Sequence, residues 1–260
     1  MVLWQGLQMT EAELSQFRRL IQGANNVVIF TGAGISTESG IPDFRGPNGI
    51  WKTMRPIDFS DFVASEDVRR ESWRRKFSGD DMAQATPNSG HLAVAKLVDM
   101  GKVSFVITQN VDGLHQKSGI ADERVIELHG NANYASCLAC HKRYELEDIR
   151  AIFKGDEFEE SEIVPYCLEC GGIIKTATIS FGQTMPERPM NLAEQATLSA
   201  DLFIAIGSSL TVYPAASFPR VAKQQGANLV IVNNEPTDLD PICDLVLHYP
   251  IGETLTAAVD

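Results

Sequence analysis

The sequence has few cysteines, no long apolar run and no leader-like start, and each absence narrows the class of protein. It holds five cysteines in 260 residues, too few for a small disulfide-stapled domain. No run approaches the roughly eighteen apolar residues that a membrane-spanning helix needs. Residues 1–10 contain neither a basic segment nor an apolar one. We therefore expect a cytoplasmic protein with reduced thiols and no membrane partner.

Positive charge is also scarce. The chain has 22 Lys and Arg against 34 Asp and Glu, which gives a net charge of −12 at pH 7. This balance argues against nucleic acid or an anionic membrane as the main partner, and it suits solubility first and a basic partner second. A hydrophobic content of 44% over this length is enough to bury a large core, which excludes a disordered chain.

Six short apolar runs have the length and composition of buried parallel strands. Amphipathic helical patterns at 89–100, 186–200 and 214–225 stand between several of them, and Thr10 with Glu13 forms a capping box before another helix. This alternation predicts an α/β fold, a Rossmann-like doubly wound parallel sheet. The predicted strands are Val27–Phe30, Val103–Thr108, Val125–Leu128, Leu202–Ile206, Leu229–Val232 and Leu245–Leu247.

Two segments interrupt the alternation of strands and helices. Residues 46–87 are charged and helical in pattern, and residues 131–178 hold two cysteine pairs and few strand-like runs. We predict a helical insertion over the first segment and a smaller zinc-binding insertion over the second. Residues 1–45, 88–130 and 179–260 would together form the nucleotide-binding domain.

A glycine-rich turn, residues 32–36, follows the first predicted strand. Glycines in such a turn let the backbone approach a pyrophosphate, whose charge suits a following helix N-terminus. The dinucleotide fingerprint fails at its third glycine, where Thr37 stands, and the Gly and Pro residues of 40–49 exclude an ordinary crossover helix. A second strand ending in an acidic residue, which a dehydrogenase uses for the ribose, is also missing. The turn therefore suits a nucleotide under a flap and disfavours a dehydrogenase.

Four of the five cysteines form two Cys-x-x-Cys pairs, Cys137 with Cys140 and Cys167 with Cys170. Two such pairs can close one tetrahedral zinc site. Residues 141–166 separate them, a spacer longer than the usual fifteen to twenty or so residues. Four protein ligands leave no open position for a substrate water, so this zinc would be structural.

Two alternatives to the zinc site stay open at this point. The pairs can be redox dithiols or free buried thiols, and His141, which follows Cys140 directly, can compete as a ligand. The fifth cysteine, Cys243, stands alone and is typical of an inert thiol. His91 and His248 have the surroundings of structural imidazoles.

Polar or glycine-rich loops follow four of the predicted strands. Gln109, Asn110 and Asp112 come after the second strand, and His129 comes after the third. Carboxyl ends of parallel strands are where ligands bind in open sheets, so four such loops indicate one site. The amides and the carboxylate suit a ribose or a carboxamide, and His129 suits a general base, although an ordinary turn and a structural imidazole remain alternatives. The other two loops contain Gly207, Ser208 and Ser209, and Asn233 to Glu235.

Taken in order, these motifs resemble those of the sirtuins, NAD-dependent protein-lysine deacylases, over roughly residues 25–255. The first anchors are Gly-Ala-Gly-Ile-Ser and Ser-Gly-Ile-Pro-Asp-Phe-Arg-Gly within 32–46, Thr-Gln-Asn-Val-Asp-Gly-Leu-His at 108–115 and Glu-Leu-His-Gly at 127–130. The two cysteine pairs follow, and then Phe-Gly at 181–182, Gly-Ser-Ser-Leu at 207–210 and Asn-Asn-Glu at 233–235. The ordered set is far more specific than any one motif.

The resemblance implies NAD and one structural zinc ion as cofactors, and an acyl-lysine protein or peptide as partner. It implies that Phe44 and Arg45 lie on a flap that closes over NAD, and that Asp112 receives the carboxamide. The pyrophosphate would contact Ala33, Ser208 and Ser209, the adenine ribose Asn233, and the nicotinamide ribose Gln109 and Asn110. The rest of the implied cofactor set is Gly32, Gly34, Ser36, Gly207, Glu235 and Cys243.

The reaction that the resemblance implies starts with attack by the acyl-lysine carbonyl oxygen on the ribose carbon that bears nicotinamide. His129 then acts as general base for a ribose hydroxyl, which attacks the resulting imidate carbon, with Asn110 and Asp112 as the other catalytic residues. A water molecule completes the release of free lysine and O-acyl-ADP-ribose. The peptide would pair with the backbone by strand addition, beside an apolar tunnel for the acyl-lysine. The implied substrate residues are Phe181, Gly182, Leu210, Val212 and Tyr213.

Departures from the family pattern leave the acyl preference and the activity open. Thr176 stands where a proline is commoner, and Gln183 where a glutamate is commoner. Trp73 to Lys76 loosely replaces the Tyr-x-x-Arg pair of desuccinylating members, which favours plain or longer apolar acyl groups. ADP-ribosyl transfer to protein and NAD hydrolysis share the first step and remain alternatives. A non-catalytic NAD-sensing module is a third possibility, against which the presence of His129 argues.

Overall fold

The computed structural model describes residues 9–46, 49–78, 84–153 and 163–260, and a parallel sheet of six strands forms its main layer. These strands run in the spatial order β3-β2-β1-β7-β8-β9, and a second, antiparallel sheet has the order β5-β4-β6. The strands are β1 Val27–Thr31, β2 Val103–Thr108, β3 Val125–Glu127, β4 Gly130–Cys137, β5 Arg143–Glu145, β6 Ile174–Thr178, β7 Leu202–Ile206, β8 Asn228–Val232 and β9 Leu245–Leu247.

All six strands predicted from the apolar runs are present in the large sheet, with bounds that differ by one residue at most. Every neighbouring pair in this sheet is parallel. The strand order reverses between β1 and β7, because β2 and β3 lie on one side of β1 while β8 and β9 lie beyond β7. Such a switch point opens a crevice at the carboxyl ends of the two central strands.

Helices cover both faces of the large sheet, as a doubly wound fold requires. Helices α1, α4 and α9 pack on one face through a buried cluster that includes Phe17, Ile29 and Leu255, and α7 and α8 pack on the other around Phe30 and Phe203. The described helices are α1 Glu11–Gly23, α2 Phe59–Ala64, α3 Glu66–Ser78, α4 Ser89–Asp99, α5 Leu114–Lys117, α6 Leu146–Ile152, α7 Glu187–Ser199, α8 Phe218–Gln224 and α9 Ile251–Val259.

Local sequence signals explain where two of the elements begin. Thr10 and Glu13 make the predicted capping box at the start of α1, with the Glu13 amide donating to the Thr10 hydroxyl at 3.2 Å. After β1 the chain forms a 3-10 helix, Ala33–Ser39, in place of a crossover α-helix, and ends it at Gly40 with a φ of 85°. Among the described residues no helix is long and apolar enough to cross a bilayer.

The segment with the cysteine pairs forms the smaller sheet. Strand β4 pairs with β5 and β6 in antiparallel fashion, with Cys137 opposite Ile174. The sequence of this segment has few strand-like runs because β4 is built largely from small and polar residues, which give no apolar run for a sequence pattern to detect. Buried aromatic residues of α3 stabilise this sheet from outside: Trp73 stacks on Phe77 at 5.6 Å between ring centroids, in one cluster with Ile174.

Candidate active site

A cleft of about 750 Å³ lies at the carboxyl edge of the large sheet, and residues of β6 in the smaller sheet close its other side. The loops after β1, β2, β7 and β8 form the floor of the cleft. This is the edge of the sheet at which we predicted a ligand site from the sequence. Seventeen of the predicted site residues line the cleft: Gly32, Ala33, Gly34, Phe44, Arg45, Gln109, Asn110, His129, Phe181, Gly182, Gly207, Ser208, Ser209, Val212, Tyr213, Asn233 and Glu235.

Three other predicted residues lie behind this lining. Ser36, Asp112 and Leu210 are buried, and Leu210 adopts a positive φ of 54° while its amide donates to the Ser208 hydroxyl at 3.2 Å. They therefore reach a ligand in the cleft only through the residues in front of them or through a small rearrangement. Leu210 shapes the loop after β7 from behind, by packing in the core cluster that includes Ala215.

Cys243 lies apart from the cleft lining that the described residues form. Its thiol packs beside the core on the α7 and α8 face and donates to the Leu239 carbonyl at 3.2 Å. Burial, together with the carboxylates of Asp240 and Asp244, raises the pKa of the Cys243 thiol to about 12. A thiol with so high a pKa is inert at neutral pH. The place of Cys243 in the cofactor set stays a prediction.

The two glycine loops at the switch point are packed directly on each other. The Gly34 amide donates to the Gly207 carbonyl at 2.8 Å, and the Gly32 amide donates to the Ile206 carbonyl at 3.0 Å. A Cβ on Gly34 would lie 2.7 Å from the Gly207 Cα, and Gly207 itself has a φ of 62°. The close contact between the two loops therefore requires glycine at these positions, independently of any ligand. The sequence pattern alone did not reveal this structural reason for the glycines.

Gln109 ties the loop after β2 to the loop after β7, across the end of β1. Its side-chain amide donates to the Ser208 hydroxyl at 2.8 Å, and its backbone amide donates to the Thr31 carbonyl at 2.9 Å. Both Gln109 and Ser208 line the cleft. The two loops that were predicted to hold the nucleotide are thus one connected surface.

Asn110, Ser36 and Asp112 form a buried polar chain under the cleft floor. The Asn110 side-chain amide donates to the Ser36 hydroxyl at 3.1 Å, and that hydroxyl donates to Asp112 Oδ2 at 2.7 Å. Asp112 Oδ1 accepts from the Leu114 amide at 2.9 Å, at the start of α5. Each carboxylate oxygen can accept a second hydrogen bond, so Asp112 keeps acceptor capacity for a carboxamide.

His129 lines the cleft, and one hydrogen bond determines which nitrogen of its imidazole carries the hydrogen. Its Nδ1 lies 3.0 Å from the Gln109 carbonyl, which can only accept, so Nδ1 carries the hydrogen and Nε2 keeps its lone pair. Burial lowers the pKa of His129, and the nearby charge of Arg45 lowers it further, against the opposing effect of the Gln109 bond. The imidazole is therefore neutral at pH 7 and able to accept a proton.

Trp51 is a cleft residue that sequence reasoning missed. Its ring centroid lies 5.0 Å from that of Phe44 and 5.2 Å from that of Phe181, and the Arg45 guanidinium sits 4.1 Å over its ring. Trp51 thereby joins the flap to the predicted substrate loop. A lone tryptophan beside the glycine- and proline-rich segment was the available signal.

The predicted substrate loop is a tight turn that Gln183 closes with its side chain. The Ser180 amide donates to Gln183 Oε1 at 3.1 Å, and the Gln183 amide donates back to the Ser180 carbonyl at 3.0 Å. The turn contains Gly182 at a φ of 75°. Because an amide oxygen accepts as a carboxylate does, glutamine in place of the commoner glutamate preserves this contact.

The four paired cysteines converge at one end of the smaller sheet. Their sulfur atoms all lie within 4.8 Å of one another, with 3.5 Å between Cys137 and Cys170 and 3.6 Å between Cys140 and Cys167. Zinc at about 2.3 Å from each of four thiolates separates the sulfurs by a little under 4 Å, so this donor set fits one tetrahedral zinc ion. The four thiols are free of disulfide bonds, and the cluster of candidate ligands consists of these thiols, without His141.

Comparison with known proteins places the chain in a family. The model of the Sir2 family matches residues 32–214. The NAD-dependent protein deacetylase of Rhodopseudomonas palustris is 52% identical over 243 residues, which cover 93% of this chain and 94% of that protein. NAD-dependent protein deacetylase 1 of Bradyrhizobium diazoefficiens is 55% identical over 237 residues, 91% of each.

A solved structure of a Sir2 protein with a deacetylated p53 peptide and 3'-O-acetyl-ADP-ribose has the same fold, with a TM-score of 0.85. It shares 38% sequence identity, and the match covers 94% of this chain and 96% of that one. The curated relatives and the solved structure therefore agree over more than nine-tenths of the chain, and the family model over residues 32–214. The chain belongs to the Sir2 family.

Proposed function

We propose that the chain is an NAD-dependent protein-lysine deacylase, which releases nicotinamide and transfers the acyl group to ADP-ribose. The observation that best supports this is that His129 lines the cleft as a neutral base whose Nε2 keeps its lone pair. The two curated relatives are named NAD-dependent protein deacetylases. The similar structure holds a peptide and an acetylated ADP-ribose, a pair that the same reaction would produce.

The cleft fits NAD in size and in the chemistry of its floor. Its amide and hydroxyl groups suit ribose, and the interlocked glycine loops present backbone for a pyrophosphate without side chains in the way. We assign the pyrophosphate to Ala33, Ser208 and Ser209. The nicotinamide ribose goes to Gln109 and Asn110, the carboxamide to Asp112 and the adenine ribose to Asn233. When bound, NAD supplies the ribose carbon that the acyl oxygen attacks.

The acyl-lysine would enter from the side of the substrate loop. Phe181 and Val212 give apolar walls to the cleft, and the backbones of Gly182 and Tyr213, which also line it, would pair with an extended peptide. Residues that bind main chain select little by sequence. We therefore propose that the chain accepts many lysine-bearing peptides.

His129 would remove the proton of a ribose hydroxyl with Nε2. The Gln109 carbonyl holds the ring in the required tautomer and stabilises the imidazolium that results, since the bond to Nδ1 strengthens when the ring is charged. Asn110 would orient the reacting ribose and Asp112 would hold the carboxamide, and Ser36 joins the two side chains by hydrogen bonds. The four cysteines would hold zinc in a structural role, because no ligand position remains for water.

The reaction products decide whether the chain is a deacylase or has one of the other NAD-cleaving activities, and whether it is a catalyst at all. We would incubate the chain with NAD and an acetyl-lysine peptide, and analyse peptide, nucleotide and protein by mass spectrometry. Deacetylated peptide with O-acetyl-ADP-ribose is expected. ADP-ribose attached to protein, or free ADP-ribose without deacetylated peptide, would replace the proposal with one of the other NAD-cleaving activities. NAD binding without any product would indicate a sensing module.

The preferred acyl group is a separate proposal. The apolar walls at Phe181 and Val212 favour plain or longer apolar acyl chains over acidic ones. A set of peptides that differ only in the acyl group, from acetyl to decanoyl and succinyl, would give this ranking directly. A succinyl peptide with the highest kcat/KM would overturn it. The cytoplasmic location stays a prediction.

A further inference from the structure

A row of buried polar side chains runs beneath Asn110, behind the cleft lining. It consists of His115, Thr31 and Thr108, which are 1%, 0% and 3% exposed, and we call it the His115 row. His115 Nε2 lies 2.9 Å from the Thr31 hydroxyl, which lies 2.8 Å from the Thr108 hydroxyl. The Asn110 amide donates to the Thr108 hydroxyl at 3.0 Å. The row ends on the backbone of a residue assigned to the nicotinamide ribose.

Strand register explains why the two hydroxyls meet. Thr31 ends β1 and Thr108 ends β2, and the two are partners in the parallel ladder. The strand interiors at these depths are valine, isoleucine and phenylalanine, and valine would fill either site with the same shape. A buried hydroxyl is costly unless it is hydrogen-bonded. Threonine at both positions is therefore useful only as part of the row.

The direction of hydrogen bonding in the row follows from its two ends. The Asn110 amide can only donate, so the Thr108 hydroxyl accepts from it. If Thr31 donates to Thr108, then His115 must donate to Thr31 from Nε2 and leave a lone pair on Nδ1. If the two hydroxyls point the other way, His115 accepts from Thr31 and carries its hydrogen on Nδ1.

His91 selects between these two arrangements. Its ring centroid is 5.2 Å from that of His115, edge to face, and its Nδ1 accepts from the Asn88 amide at 3.4 Å. The hydrogen of neutral His91 is therefore on Nε2. His91 Nε2 and His115 Nδ1 are both buried without a hydrogen-bond partner among the described residues. A hydrogen on His115 Nδ1 would add a second buried N–H without an acceptor beside that of His91, whereas a lone pair there leaves no N–H of His115 unpaired.

We propose that His115, with its hydrogen on Nε2, is a positioning residue for NAD. Through Thr31 and Thr108 it fixes the backbone of Asn110, whose side chain holds Ser36 and, through Ser36, the carboxylate of Asp112. His115 makes no contact with the cleft itself and acts only through this row. The inference rests on the proposed function, because it concerns affinity for the cofactor of that reaction.

The test breaks the row at two points with shape-conserving controls. Thr31→Val removes the middle hydroxyl, and Thr31→Ser keeps it. His115→Leu removes the terminal donor, and His115→Gln keeps an amide nitrogen in the place of Nε2. Thr197→Val is the matched control, since Thr197 is also fully buried and its hydroxyl also donates to one oxygen, the Ala193 carbonyl, but in α7 away from the cleft.

We would measure the Kd for NAD by calorimetry on the full chain, and the KM for an acetyl-lysine peptide, with circular dichroism to verify folding. Thr31→Val and His115→Leu should each weaken NAD binding about tenfold while the peptide KM stays within about twofold. The double variant should be no weaker than the worse single variant within about twofold, because both break one row. Thr31→Ser and His115→Gln should bind within about threefold of the wild type.

The possible outcomes distinguish failure of the His115 row from failure of the proposed deacylase function. NAD affinity in Thr31→Val equal to that of Thr197→Val overturns the row and leaves the deacylase proposal intact, and so do independent, multiplying effects in the double variant. A wild-type chain that binds no NAD overturns both. If His115→Leu does not fold, the Thr31→Val and Thr31→Ser pair decides, because valine fits the space of threonine.

Discussion

The Nδ1 of His129 lies 3.0 Å from the carbonyl oxygen of Gln109, the residue whose side chain also reaches Ser208. One residue thereby holds the base with its backbone and the nucleotide loop with its side chain. A shift of the loop after β2 would move both. Under the proposed function, binding of a nucleotide at Ser208 and orientation of His129 would therefore be coupled through Gln109.

His129→Ala should abolish deacylation and leave NAD binding within about threefold of the wild type. The variant removes the base, but the residues assigned to the pyrophosphate and the ribose stay in place. Product formation is measured with an acetyl-lysine peptide, and NAD affinity by calorimetry. His141→Asn serves as the comparison, because His141 is exposed and lies outside both the described cleft lining and the cysteine cluster. Deacylation by His129→Ala at the wild-type rate would remove this residue from the mechanism.

The pH dependence of kcat should reflect the lowered pKa of His129. The neutral ring is the active form, and burial and then Arg45 keep the folded-state pKa below the ordinary 6.5. The rate should therefore hold as the pH falls from neutrality to 6.5 and decline only below that. In Arg45→Met the decline should move to higher pH, because one of the two lowering causes is gone. A wild-type decline centred above pH 6.5 would contradict the assignment.

One zinc ion per chain should be lost in Cys137→Ser, together with much of the stability of the smaller sheet. The sulfur set is complete only with all four thiols. Cys243→Ser is the matched control and should retain full zinc, since that thiol lies elsewhere. Metal analysis and thermal unfolding give the two readouts. Folded wild-type protein without bound metal would disprove the site.

Gly207→Ala should destabilise the chain by about 2 kcal/mol or more and weaken NAD binding. The new Cβ would lie 2.4 Å from the Ile35 amide nitrogen, at a backbone φ of 62°. Gly23→Ala is the control at the end of α1, where a Cβ meets nothing within 4 Å, and it should stabilise the chain by about 0.5 kcal/mol or more. Urea unfolding measures both. Equal stability of the two variants would show that the glycine loops are not interlocked.

Stability should fall as the pH drops below 6.5, because His91 and His115 are buried as neutral rings. Burial lowers the pKa of His91 to about 4 and that of His115 to about 3. Below pH 6.5 the unfolded state binds protons at these rings and the folded state does not. The free energy of unfolding therefore falls by about 1.4 kcal/mol per pH unit for each ring. His115→Gln should make this slope shallower between pH 6 and 4 in urea unfolding. An unchanged slope would mean that His115 is already charged in the fold.

Strands of the large sheet were predictable, and so was the edge at which the loops meet. The six strands are buried on both faces and therefore appear as apolar runs, and topology then places their carboxyl ends together. Strand β4 was not predictable, because its Asn and Ala residues owe their conformation to ladder pairing and to the aromatic residues of α3.

Within the site, the sequence indicated residue types and not their contacts. Gln109, Asn110 and His129 were expected at one edge, and they line one cleft. Trp51 belongs to no sequence motif, and only the fold of the flap brings its ring against Phe44 and Phe181 in the cleft. Thr31 and His115 looked like a strand end and a turn residue. The hydrogen bonds that join Thr31 to the neighbouring strand and to His115 leave no periodic pattern in the sequence.

The most direct test of the account is the stoichiometry of the complete reaction. With NAD and an acetyl-lysine peptide, a time course by liquid chromatography and mass spectrometry would follow nicotinamide, deacetylated peptide and O-acetyl-ADP-ribose together. All three products should appear in equal amounts with the wild-type chain. With His129→Ala, neither deacetylated peptide nor O-acetyl-ADP-ribose should appear, and nicotinamide is the only one of the three that can. Nicotinamide and free ADP-ribose in equal amounts, with the peptide still acetylated, would contradict it.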